Sequence, residues 1–190
     1  MTDWKALLSE LSEAVMSLES FDEDFLKAFG VPGLTESDRE SKWLGFPAAS
    51  ETEIEEAETR LGIKLPPTLR EFYLVSNGWR QIDDFIYEIV PVQKLNWFKD
   101  LDPVFCEDCT EVNELSVARS ICLSQKGDAT TLLIDPENRT ESGEWIVGAW
   151  ASWYPGFECS ELGFADFMIR KLEECRASNN EGEQDSDGQA

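Results

Sequence analysis

The chain has 190 residues, 42% hydrophobic and 11% aromatic, which suits one globular body with a packed core and leaves no room for more than two small domains. Its 39 acidic and 16 basic residues give a net charge of -23, so bare nucleic acid and anionic membrane are repelled while a basic protein is attracted. Histidine is absent, which excludes Ser-His-Asp and Cys-His nucleophiles, imidazole general bases and histidine-ligated metals.

Trp4, Leu7, Leu8, Leu11, Val15 and Leu18 recur at spacings of three and four, so the first predicted element is a helix with one buried stripe. Ser20 precedes Glu23 in capping-box order and predicts a second short helix bearing Phe21, Phe25, Leu26 and Phe29, ended by Gly30, Pro32 and Gly33. Residues 35–49 read as a polar connection. Ser50 and Glu53 form a second capping box before a helix with Ile54, Ala57 and Leu61 inward and Gly62 as left-handed cap. Glu51, Glu55 and Glu58 fall on its outward, solvated face. Pro66-Pro67 restart the chain as a short helix carrying Leu69, Phe72, Tyr73 and Val75, which Asn77-Gly78 stops.

Residues 85–90 turn to β-branched and aromatic side chains and predict a strand, followed by loop with one short helix over 94–116. Residues 120–124 and 130–135 predict a hairpin about Lys126-Gly127-Asp128, and 144–150 a third strand, together an antiparallel meander. Ser160 is placed to cap a final helix with Phe164, Phe167, Met168, Leu172 and Cys175 inward. Residues 177–190 carry four acids, no base and nothing large enough to pack, the composition of a disordered tail.

Cys106-Glu-Asp-Cys109 has the spacing of half a zinc site or a redox pair, but no second pair stands at metal spacing and Glu107 and Asp108 disfavour a thiolate. The start of the chain lacks the basic-then-apolar order of a secretion signal, so the five cysteines are expected as reduced thiols in the cytoplasm. Asp83-Asp84, Asp100 with Asp102, and Asp128 with Asp135 are the acidic pairs a hydrolase or magnesium site would use, and 39 acids produce such pairs by chance. No phosphate loop or dinucleotide fingerprint is present, and neither a cofactor nor a metal is expected. Trp145, Trp150 and Trp153 cluster before Tyr154-Pro-Gly-Phe157, and Trp79 follows the Asn77-Gly78 turn. Such aromatics among acids suit a protein-binding surface or cover the end of a core.

Pro47-x-x-Ser-Glu-x-Glu-Ile54, Glu58-x-x-Leu-Gly62, Leu65-Pro66, Phe72 and Asn77-Gly78 stand in the order of the SUKH superfamily pattern. Gly127-Asp128, Leu132-Leu-Ile-Asp135-Pro136 and Phe164-Ala-Asp-Phe167 continue it, so residues 43–174 resemble that superfamily. The resemblance implies an α+β fold: a mostly antiparallel sheet of four to six strands with helices packed on it. The division expected is an N-terminal helical extension (1–34) preceding the sheet and packed on the domain, the domain itself (35–176) and the tail (177–190). The resemblance also implies a non-enzymatic role, either as a bacterial immunity protein against a polymorphic toxin, often a nuclease, or as a regulator of cell-wall assembly. The leading expectation is an acidic module occluding a basic toxin, with Trp79, Asp83, Asp84, Asp128, Glu144, Trp153 and Tyr154 as candidate contacts. A regulatory scaffold and a carboxylate or thiol enzyme are the competing readings.

Overall fold

The first helix, α1 (Trp4–Met16), starts where the Asp3 carboxylate accepts from the Ala6 N–H at 3.0 Å, and it buries Trp4, Leu7, Leu8, Leu11 and Val15 as their spacing predicts. The computed structural model describes residues 2–108, 116–124, 130–151 and 157–187. In α2 (Glu23–Ala28) the cap is Asp22, not Ser20, with its carboxylate accepting from Asp24 and Phe25 N–H at 2.8 and 3.2 Å. Glu23 is therefore available to Arg39 at 2.6 Å and Lys27 at 3.1 Å. Residues expected as a polar connection contain α3 (Glu36–Ser41), held by a Thr35–Asp38 capping box. That helix buries no residue, so it leaves no apolar period to read. The Ser50–Glu53 box opens α4 (Glu51–Leu61) as predicted, and Gly62 ends it at φ 73°. Next, α5 (Pro67–Val75) runs into Gly78, whose φ is 101° and where an added Cβ would lie 2.6 Å from the Ile89 carbonyl oxygen.

A two-stranded ribbon follows, β1 (Trp79–Arg80) paired antiparallel with β2 (Glu88–Ile89). The strand expected over 85–90 shrinks to β2 because the Asp83 carboxylate accepts from the N–H groups of Phe85 and Ile86, at 2.9 and 2.8 Å, and bends the chain there. The stretch expected as loop with one helix holds β3 (Asn96–Trp97), α6 (Phe98–Leu101) and α7 (Pro103–Asp108). The predicted hairpin and third strand are β4 (Ile121–Cys122), β5 (Thr130–Arg139) and β6 (Trp145–Ala151). A further strand, β7 (Phe157–Gly163), contains Ser160, so that residue is no helix cap; α8 (Phe164–Asp187) starts after Gly163. It continues as helix to Asp187, where composition suggested disorder from 177 on, and the Asn179 amide donates to the Ala14 carbonyl at 2.9 Å.

The main sheet is antiparallel in the order β3-β4-β5-β6-β7, and the fold is α+β. Alternation along its strands sorts the side chains into two layers. Ile121, Leu123, Leu132, Ile134, Trp145, Val147 and Ala149 face the main core with α1, α4, α5 and α8. Cys122, Leu133 and Ile146 face the other way, onto Phe98 and Val117. The α1 helix belongs to the main core: Trp4 meets Phe72 and Phe164 at ring-centroid distances of 5.5 and 5.6 Å. The Ser12 hydroxyl accepts from the Leu44 N–H at 3.1 Å.

Candidate functional site

Trp79 is fully buried in the main core, edge-on to Trp43 at 5.3 Å, and cannot meet a partner. That corrects its place among the candidate contacts: an aromatic after an Asn-Gly turn reads as loop, but pairing of β1 with β2 carries it inward. Asp83 lies beside exposed Asp84 and Phe85 and accepts from the Lys171 ammonium at 2.8 Å. Asp83, Phe85, Ile86, Thr130, Ala149, Ala151 and Lys171 line a small notch at one end of the main sheet. Thr130 and Ala151 are directly paired across β5 and β6. They flank in sequence the stretches containing Asp128 and Trp153-Tyr154, which lie outside the described residues. Glu144 stands at the other end of β6, ~20 Å away at the usual rise per residue. It is half-buried and accepts from the Thr68 hydroxyl. The structure thus joins Asp83 and Asp84 at one end and leaves Glu144 apart from them.

The two charged side chains that line the notch, Asp83 and Lys171, are paired with each other. Burial lowers the Lys171 pKa, but Asp83 and Glu174, at 2.8 and 2.9 Å, more than offset this and hold it above the ordinary lysine value. The ammonium stays charged and engaged. Behind it, burial pushes the Cys175 thiol up to about 11, and burial does the same to Cys122, so both are protonated at neutral pH. Cys106 is half-buried, and Cys109 lies outside the described residues. Asp135, within β5, is buried and takes the Arg119 guanidinium at 3.0 Å and the Ser116 N–H at 3.2 Å, a structural carboxylate. Among the described residues no cluster of three or more Cys, Asp or Glu is placed to hold a metal ion, and no helix is long and apolar enough to cross a membrane.

A second polar centre was hidden on the face of α4 expected to be solvated. Glu58 is buried, accepting from the Leu65 N–H at 3.1 Å, Lys64 at 2.6 Å and Arg70 at 2.5 Å; Arg70 also reaches Glu51 at 2.5 Å. These bonds tie α4 to the start of α5. The signal was present in the spacing, since Glu58 lies four residues after Ile54 and three before Leu61, on the inward stripe. Burial raises the Glu58 pKa, but Lys64, Arg70 and the Leu65 N–H outweigh it and hold the carboxyl below the ordinary value. A depressed folded pKa means a contribution present above the unfolded value and lost as pH falls through the folded one. Glu58→Gln should therefore be less stable than the parent at neutral pH, with the gap closing as urea midpoints are followed down to about pH 3. An equal gap at both ends would show that the charge contributes nothing.

A model of the SMI1 / KNR4 family (SUKH-1) matches residues 48–168. The match takes in α4, α5, both sheets and the first turn of α8, hence the Glu58 centre and all of the notch except Lys171. It leaves out α1, α2 and α3. A search of the curated proteins found no match to the chain.

Proposed function

Because the chain belongs to the SMI1 / KNR4 family (SUKH-1), we propose that it is a non-enzymatic, acidic protein-binding module: a cytoplasmic immunity protein that occludes the basic site of a cognate polymorphic toxin. The observation that carries this reading is the distribution of charge. Net charge is -23, and Lys27, Arg39, Lys64, Arg70, Arg80, Arg119, Arg170, Lys171 and Arg176 are each held by a carboxylate of the chain itself. The surplus acids therefore set the potential a partner meets. A nuclease is basic where it holds phosphate, so an acidic surface can take the substrate's place and steer the encounter. The contacts proposed are Asp83 and Asp84 at the notch, with Asp128, Trp153 and Tyr154; Glu144 joins them only for a partner that spans the length of β6.

The test uses the catalytic domain of a toxin encoded beside this gene. The full chain should inhibit it at one-to-one stoichiometry, with an association rate that falls as salt rises. Trp153→Ala should weaken the complex by about 2 kcal/mol or more while leaving the thermal unfolding curve in place. Unchanged affinity in that variant moves the interface elsewhere. A toxin left fully active rejects the immunity role in favour of a regulatory scaffold for cell-wall assembly or signalling.

A further inference from the structure

Phe25 lies on α2 and Phe29 one turn further, at the residue that caps the helix, and they remain 42% and 47% exposed. Their ring centroids are 4.7 Å apart, and they rest on Tyr87 at 5.2 and 5.0 Å. Beneath them Leu26, Val31 and Tyr87 form a small core of their own, apart from the main one. Leu26 is the buried residue of α2. Folding thus uses only the inner edges of the two phenylalanines, yet the platform fixes both rings at the surface. Rings fixed in advance lose little freedom when a partner covers them.

The chain on either side of this aromatic pair is mainly acidic. Residues 19–40 carry seven acids and two bases. Both bases are engaged: Lys27 by Glu23 and Asp24 at 3.1 Å each, and Arg39 by Glu23 at 2.6 Å, a pair that also lashes α3 to α2. Glu19, Asp22, Asp24, Glu36 and Glu40 remain exposed. A second copy of this chain would bring the same negative rim and be repelled. An aliphatic side chain flanked by arginine or lysine matches both parts of the patch, because it covers the rings while its cations meet the acids or lie over a ring face.

We propose that the Phe25–Phe29 face of α2 is a docking site for a basic protein segment that presents an aliphatic residue between arginines or lysines. The proposal rests on the reading of the chain as an acidic protein-binding module and gives it a second surface, whose two phenylalanines line no part of the notch and lie outside the residues 48–168 of the family match.

The probe is a synthetic amphipathic helical peptide of leucine and arginine, compared with a scrambled peptide of the same composition and charge. The full chain should bind the amphipathic peptide about tenfold more tightly than the scrambled one, and the Phe25 and Phe29 ring signals should shift in NMR spectra. Phe25→Ser with Phe29→Ser should remove the preference. If that double variant unfolds, Phe29→Ser alone carries the test, because Phe25 still covers Tyr87. A folded variant that keeps the preference, or a parent that shows none, overturns the docking site while leaving the acidic-module reading in place. Failure of both peptides to bind even at low salt overturns the two together. A dimer in sedimentation that the double variant abolishes assigns the face to self-association instead and overturns the proposal.

Discussion

Arg80→Met should cost about 3 kcal/mol or more of folding stability, read as a lowered urea midpoint. Arg80 is buried in β1, and its guanidinium donates to the carbonyls of Pro32, Gly33, Leu44 and Gly45 at 2.9 to 3.2 Å and to the Asp38 carboxylate at 3.2 Å. Its plane lies over the Phe46 ring at 4.4 Å. Burial lowers its pKa against the pull of Asp38, and the acceptors around it offset the desolvation of the charge. Methionine replaces the stem but removes five donated bonds, among them the one to the buried Gly45 carbonyl, and a buried acceptor left unpaired costs about 1–3 kcal/mol. Asp38 also accepts the Thr35 N–H at 2.9 Å within the α3 capping box, so α3 should loosen with it. Arg80→Lys should recover only part of the loss, because an ammonium has three donors and no planar fork. A loss below about 1 kcal/mol for the methionine variant would mean that water reaches the carbonyls.

The second large effect lies outside the matched residues 48–168. Trp4→Ala should cost about 3–5 kcal/mol, because it removes the ring between Phe72 and Phe164, which themselves meet edge-on at 5.1 Å. Trp4→Phe separates packing from polarity. The buried indole N–H has no hydrogen-bond partner, so phenylalanine gives up ring area without leaving an acceptor unpaired and should cost about 1–2 kcal/mol. Residues 48–168 expressed alone should show no cooperative thermal transition, since α1 and most of α8 would be missing from the core. A sharp transition in that fragment would relegate α1 to an accessory.

Elements with a local rule were legible in the sequence. The stripe of α1, the Ser50–Glu53 box, Gly62 and the hairpin each follow from residues a few positions apart. Three elements lacked such a rule. The α3 helix buries nothing, and β7 follows Pro155-Gly156 and mixes Glu, Cys and Ser among its apolar residues. Around 85–90 an aspartate turn overrode β propensity. The candidate site was less legible because distant partners decide it. Asp83 was visible as an acid, but Lys171, which engages it, comes from α8. Glu58 stood on the inward stripe, yet its ion-pair partner Arg70 comes from the next helix. The exposed edge of α2 was invisible because periodicity places Phe25, Leu26 and Phe29 together and does not tell which of them the platform of Tyr87 leaves outside.

The clasp between α1 and α8, made by Trp4 on Phe164, Glu10 with Arg176 at 2.6 Å and Ala14 with Asn179, bears on biosynthesis. Translation releases Trp4 and its leucines long before the helix that covers them has left the ribosome. The nascent chain therefore carries an apolar stripe that stays partly uncovered until α8 emerges, and the core closes only when that helix docks.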